Sequence, residues 1–205
     1  QKFDDSGLMW AVDKSDSGDL TTDEILFPAG WILLSFIMDA RTGLGRYRDY
    51  RISNLQLMAD MIKYCREMKV EEILEVPDVK ERVQRYFTQE LKYESMIKSH
   101  ATVAANVLVI DLREVDEILS GNRFIEYVLY PEQNVSLRVI WGKMKQNVVF
   151  TVGYSIINRT CKSDIGSLML RFGGGGHRAV GTCQVPIGEA EEALKTILDH
   201  LKANG

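Results

Sequence analysis

Phe172-Gly173-Gly174-Gly175-Gly176-His177-Arg178-Ala179-Val180-Gly181 is the stretch around which the chain is organised. Four consecutive glycines cost backbone entropy at every position, which a folded domain accepts where the backbone must approach something closely. An imidazole and a guanidinium follow directly. Beside bare backbone N–H groups they suit an anion such as phosphate. The alternative is a flexible turn that happens to carry a histidine. The setting is informative. Upstream, Ser163 stands as a helix N-cap, and Ile165, Leu168, Met169 and Phe172 recur at helical spacing, with Gly173 where a C-terminal glycine belongs. Downstream, Val180–Val185 reads as a strand. The run therefore leads from helix into strand. Phosphate and dinucleotide loops lead from strand into helix and need GK[ST] or GxGxxG there. Neither occurs.

Working outward, Glu189–Leu201 is an amphipathic helix with Ala190, Ala193, Leu194, Ile197, Leu198 and Leu201 on one face. Ala105–Ile110, Phe124–Tyr130, Val135–Trp141 and Val148–Ile157 read as strands, and Glu114–Leu119 as a short helix closed by Gly121. The C-terminal part is thus an α/β lobe: an open mixed sheet of about five strands with three helices packed on it.

The N-terminal half reads as helical. Asp78 opens a long charged helix to about His100, whose narrow apolar side (Val83, Tyr86, Phe87, Leu91) suits a connector. His100 complements the macrodipole at its end. Ser53 or Asn54 caps a helix with Met58, Met61, Ile62 and Cys65 on one face, as core filler. Arg41, Arg46, Arg48 and Arg51, with Tyr47 and Tyr50, surround a glycine-bearing loop. They read equally as a phosphate and base contact surface or as a turn whose arginines pair with nearby acids. Trp31–Met38 is a buried helix, and Thr21-Thr22-Asp23-Glu24 a helix start. Phe3–Leu20 is rich in acids, including Asp4 and Asp5. Leu8–Val12 is a short strand or buried helix, and Asp13-Lys14-Ser15-Asp16-Ser17-Gly18 a loop. Asp13, Asp16 and Asp19 either solubilise that turn or present metal ligands just after a buried segment.

Composition sets the outer bounds. The chain has 205 residues, is 45% hydrophobic and carries a net charge of −4. It can bury a core and is not a disordered tail. Wholesale binding of polyanions is excluded, and any nucleic-acid site is local. Cys65, Cys161 and Cys183 form no CxxC or Cys/His cluster, which points to reduced thiols and a cytoplasmic protein. The apolar run Trp31–Met38 is too short for a membrane span.

Gly173-Gly174-Gly175-Gly176-His177-Arg178-Ala179-Val180-Gly181 resembles the GGGGHxxAxG signature of the DHH-associated C-terminal domain, the substrate-binding lobe of many DHH-family phosphoesterases. Ser155-Ile156-Ile157-Asn158-Arg159-Thr160 is similar to the Arg-bearing segment that precedes the signature helix in that family. Asp13-Lys14-Ser15-Asp16-Ser17-Gly18-Asp19-Leu20 resembles its fourth metal motif, with Asp16 the first choice of ligand and Asp13 the second. The segment around Trp31–Arg51 is similar to the exopolyphosphatase-related subgroup. The Asp-His-His triplet and the DxD motif do not occur in these 205 residues.

The resemblance implies three parts: residues 1–65 as the tail of a catalytic domain, 66–100 as a helical linker, and 101–205 as the DHH-associated domain. It implies a metal-dependent hydrolase using Mn²⁺ or Mg²⁺ on phosphoester or phosphoanhydride bonds. Its substrates would be short single-stranded nucleic acid, nucleotides or polyphosphate. Gly174, Gly175 and Gly176 would offer N–H groups to a phosphate, His177 would hydrogen-bond it, and Arg178 and Arg159 would add charge. No catalytic residue is assigned to this chain, which alone is expected to be inactive. A homodimer is compatible with the resemblance, and a membrane role is not implied. The alternative is a non-catalytic nucleic-acid or nucleotide-binding module.

Overall fold

A computed structural model describes residues 7–204, which leaves Asp4 and Asp5 outside the described residues. The chain forms two compact units. One runs to Ser95 and includes Leu119–Ile125; the other holds Met96–Ile118 and everything from Glu126 onward.

The first unit is helical. It contains α1 (Leu8–Ser17), α2 (Thr22–Leu26), α3 (Gly30–Met38), α4 (Asn54–Glu67), α5 (Val70–Glu75) and most of α6 (Pro77–His100). Thr21 and Glu24 cap α2 reciprocally: each side chain accepts the other's backbone N–H. The α3 helix buries Ile32, Leu33, Leu34, Phe36 and Ile37 on almost every side, as its unbroken apolar run requires. Leu34, Leu57, Met61, Val70, Ile73 and Val79 form the core. Two expectations are corrected here. Asp13–Gly18 is not a loop but the end of α1, closed by Gly18 in the left-handed region. Met58 and Ile62 do not face the core: α4 buries Leu57 and Met61 and leaves Leu55, Met58 and Ile62 exposed.

The second unit is built on one six-stranded sheet, in the order β1-β2-β3-β4-β6-β5. The strands are β1 (Ala101–Ala104), β2 (Val107–Asp111), β3 (Val135–Trp141), β4 (Val148–Tyr154), β5 (Gly175–His177) and β6 (Val180–Val185). Only β2 and β3 run parallel; every other pairing is antiparallel. The helices are α7 (Ile125–Leu129), which starts at the first unit's last residue, α8 (Ile165–Leu170) and α9 (Ala190–Ala203). The fold is therefore the expected open mixed sheet with helices, with β1 and β5 as additional edge strands.

Alternation gives the sheet two unlike faces. Val135, Leu137, Val139, Val148, Phe150, Val152, Cys183 and Val185 point to one face and pack with Ile165, Leu168 and Met169 of α8 and Ala193, Ile197 and Leu201 of α9. The other face is covered over β3 by α7. There Arg138 pairs with buried Glu126, and the Tyr127 hydroxyl lies 3.0 Å from Ser136 Oγ. Beyond that, over β4, β6 and β5, the same face exposes Thr151, Val180, Thr182 and Gln184.

Three local expectations change in this unit. Phe124–Tyr130 contains a helix, not a strand: Asn122 Oδ1 accepts the Phe124 N–H at its entry, and the Arg138 pair anchors it from the side. Glu114–Leu119 is irregular, although a helix is expected there. The N-cap of α8 is Asp164, whose carboxylate accepts the Ser167 N–H at 3.0 Å, and not Ser163.

Candidate functional site

The glycine run is not an open loop. Gly173 closes α8 with φ +73°, its N–H reaching Leu170 O at 3.1 Å, and Gly174 N–H donates to Met169 O at 3.0 Å. Gly175–His177 then forms β5, with Gly175 opposite Thr182, Gly176 opposite Gly181, and His177 opposite Val180. Most of the glycines answer to the fold. A Cβ on Gly174 would run into Thr182 O and lie 2.6 Å from Cys183 Cβ. Gly176 has φ +157°, and a Cβ there would strike Val180 O. A Cβ on Gly181 would lie 2.8 Å from Met169 Cγ in α8. What the backbone approaches so closely is its own partner strand and helix. The Gly174 N–H, expected to serve a phosphate, is taken up by the end of α8.

The two-residue turn Arg178-Ala179 joins β5 to β6 and is held by both its carbonyls. Ile165 N donates to Arg178 O at 3.0 Å, and Tyr154 N donates to Ala179 O at 2.9 Å. Three features thereby meet at one end of the sheet: the start of α8, the end of β4 and this turn. The Arg159 segment leaves from the same place. Ser155, fully buried, accepts the N–H groups of Ile157 and Asn158 at 3.2 and 3.0 Å. Asn134 Nδ2 donates to Thr160 Oγ1 at 3.0 Å, and Arg159 Nε donates to Ile156 O at 3.0 Å.

His177 is exposed, and among the described residues no group hydrogen-bonds its ring. It shares the open sheet face with Val180 and Gly153, its neighbours across the ladder. Arg178 goes elsewhere. It acts on Tyr154, whose hydroxyl burial pushes up against the arginine's opposing pull. It also acts, weakly, on Asp164, whose carboxyl is held low chiefly by the Ser167 N–H and then by the Ser167 hydroxyl. Successive residues thus present an imidazole and a guanidinium to different sides of one rigid tip.

The acids of the first unit lie on exposed turns of α1. Asp13 and Asp16, with Asp19, line one open depression. Asp16 also lines a second cavity of about 280 Å³ together with Ser15, Ser35 and Asp39. Asp39, which lines that cavity, is not among the residues singled out from the sequence. A signal was present: it is the first charge after the buried α3 helix, the setting in which carboxylates of α/β folds are displayed. Burial would raise its pKa, but Arg41, through its guanidinium and its N–H, and Arg123 hold it below the ordinary value. Among the described residues no three His, Cys, Asp or Glu side chains gather closely enough to hold a metal ion.

The Arg41–Arg51 stretch is largely committed to structure. Arg41 pairs with Asp39, Arg46 donates to Leu119 O, and Arg51 pairs with Asp78. Tyr47 and Tyr50 lie against Arg85, with Arg82 over Tyr50 at 3.9 Å. Arg82 is 1% exposed and donates to Asp78 O, Ile52 O and Asn54 Oδ1. These tyrosines already have their stacking partners.

Among solved structures, the chain matches a pGpG-specific phosphodiesterase, PggH from Vibrio cholerae, at 47% identity and TM-score 0.86, over 96% of this chain. It spans 66% of that protein's length. An exopolyphosphatase-related protein from Bacteroides fragilis matches at 14% identity and TM-score 0.41, over 74% of this chain and 46% of its own. A DHH domain described as a member of the s1p family of ribosomal proteins matches at 16% identity and TM-score 0.49, over 93% and 44%. These two are too distant to carry further weight. No family model and no curated protein sequence matches the chain. Among the described residues no helix is long and apolar enough to cross a membrane.

Proposed function

The chain belongs to the DHH family of phosphoesterases, and we propose that it forms the substrate-holding part of a metal-dependent phosphodiesterase acting on short nucleotides such as pGpG. The observation that carries this reading is the 47% identity to a pGpG-specific enzyme along 96% of the chain. The β5 tip supports it. His177 would donate to a phosphate oxygen from a hairpin pinned at both turn carbonyls, so little ordering cost falls on binding. Arg178 and Arg159 would add positive charge at the same end of the sheet. Gly175 would let the ligand approach the edge strand closely, whereas Gly174 serves α8 and Gly176 serves the close pairing with β6.

The described residues do not complete a metal site. Asp16 or Asp13, with Asp39 in the Asp16 cavity, would contribute one or two of the carboxylates for Mn²⁺ or Mg²⁺, and the other ligands would come from outside this sequence. Such an ion, when bound, lowers the pKa of water and stabilises developing charge. The part of this chain is to bind and orient the nucleotide while water adds to the bridging phosphorus and the P–O3′ bond breaks, giving two GMP from pGpG. The three free thiols, with burial raising Cys65 and holding Cys183 at about 11, suit a reducing, cytoplasmic setting.

Calorimetry with pGpG on the purified chain, alongside chromatography for GMP, tests the reading. Saturable one-site binding with no GMP released is expected, even with Mn²⁺ present. Absence of binding would overturn the proposal, and rapid Mn²⁺-dependent GMP release by these 205 residues would overturn the division of labour within it.

A further inference from the structure

The loop that carries Arg159 is held more tightly than a connection from β4 to α8 requires. Asn134 and Ser155 stand just outside the last rung of the β3–β4 ladder, where Val135 lies opposite Tyr154. The Ser155 N–H donates to Asn134 O at 2.9 Å. Both side chains are buried, Asn134 at 3% exposure and Ser155 at 1%. Burying an amide or a hydroxyl costs free energy unless it is hydrogen-bonded. The bonds that satisfy these two reach into the loop. Ser155 Oγ accepts the Ile157 and Asn158 N–H groups, and Asn134 Nδ2 donates to Thr160 Oγ1 at 3.0 Å.

These side chains form a relay with one direction. Asn106 Nδ2 donates to Asn134 Oδ1 at 2.9 Å, and Asn134 Nδ2 to Thr160 Oγ1. The Thr160 hydroxyl donates to Asn158 Oδ1 at 2.7 Å, and Asn158 Nδ2 to Glu132 O at 2.8 Å. Asn106 Nδ2 also donates to Leu201 O in α9 at 3.2 Å. Glu132 O and Leu201 O are carbonyls and can only accept, so both ends set the same direction. With its proton on Asn158, Thr160 meets Asn134 only as an acceptor, and the buried amide has one allowed orientation. The relay grips Asn158 and Thr160, the residues on either side of Arg159. Arg159 is exposed, its Nε donates back to Ile156 O, and between Ser155 and Cys161 it is the only charged residue.

We propose that Asn134 and Thr160 are positioning residues, which hold the backbone on both sides of Arg159 and so aim its guanidinium at the ligand's phosphate. This rests on the function proposed above, in which Arg159 adds charge to the site. An arginine on a loose loop is ordered only when the ligand binds, and that cost comes off the affinity. With Asn158 and Thr160 already held, part of the ordering is complete in the free protein. Neither positioning side chain has to touch the ligand: Asn134 is buried, and the Thr160 hydroxyl proton is taken by Asn158.

The test is a double-mutant cycle on the whole chain, with pGpG binding read by calorimetry. Arg159→Ala is expected to weaken pGpG at least about tenfold, the loss of a hydrogen bond between charged groups. Thr160→Val keeps the shape and removes the hydroxyl, and is expected to weaken it about three- to tenfold. Thr160→Ser, which keeps the hydroxyl, should bind within about twofold of wild type, and Thr160→Val added to Arg159→Ala should cost less than about twofold more. Thr160 is exposed, so its variants keep the fold, which circular dichroism checks. Asn134→Ala is expected to give the same coupling to Arg159; if it does not fold, the Thr160 variants decide. Equal losses from Thr160→Val with and without Arg159 would mark a merely structural role and overturn the inference, as would no loss at all. Wild-type affinity in Arg159→Ala would overturn it too, while leaving the proposed function to rest on His177. A wild-type chain that binds no pGpG overturns the proposed function itself, and this inference with it.

Discussion

His177→Ala is expected to lower turnover of pGpG by the intact enzyme by about 10²–10³-fold, the effect of removing one donor to a charged oxygen at a reacting centre. The same change in this chain should abolish measurable pGpG binding. The size of the effect follows from where the ring sits. It is exposed at the end of β5 and makes no hydrogen bond among the described residues. Its strand is fixed by the β6 ladder, and the next turn by the Ile165 and Tyr154 N–H groups. Alanine therefore removes a ligand contact without loosening the scaffold. Asn, which keeps a donor near the same place, should recover part of the binding, and thermal stability should not move. Unchanged turnover in His177→Ala would remove the residue from the site.

Gly174→Ala should act oppositely, on the fold and not first on the ligand. A Cβ there would run into Thr182 O and lie 2.6 Å from Cys183 Cβ, and neither the β6 backbone nor the buried cysteine can swing aside. The Gly174 N–H also closes α8 on Met169 O. Overpacking of this kind costs about 1–3 kcal/mol, which for a chain of this size lowers the melting temperature by roughly 2–12 °C. Gly175→Ala, by contrast, should melt at or slightly above the wild-type temperature. Thermal denaturation followed by circular dichroism separates the two. Equal melting temperatures would show that the run is held open for a ligand throughout and that its close approach to β6 is incidental.

The parts of the fold legible in the sequence are those in which local pattern and burial agree. The α9 face, the α3 apolar run, and strands β3, β4 and β6 are found where periodicity puts them. The GGGGH signature with its preceding helix leads to the DHH family, which the match to a solved phosphodiesterase bears out. The failures have physical causes. Phe124–Tyr130 is apolar and aromatic without a clear period, so only the Asn122 cap and the Glu126–Arg138 pair decide for helix. Asp13–Gly18 has turn composition, yet Lys14 bonds Glu24 at 2.6 Å and Ser17 bonds Asp13 O, which carries α1 through it. The β5 strand is made of residues that strands avoid, and only its pairing with β6 creates it. At the site, the histidine and arginine were legible from the signature. That they point to different sides, and that Gly175 alone is free of the fold's demands, depends on register.

The most direct test of the central claim, that the chain holds a nucleotide at the β5 tip, is a ¹H–¹⁵N correlation spectrum of the ¹⁵N-labelled chain titrated with pGpG. The account predicts saturable shifts at Gly175, Gly176, His177, Arg178, Thr182 and Thr151, with the amides of α9 unmoved. Shifts confined to the Arg41–Arg51 segment, or no shift at the β5 tip at saturating nucleotide, would contradict it.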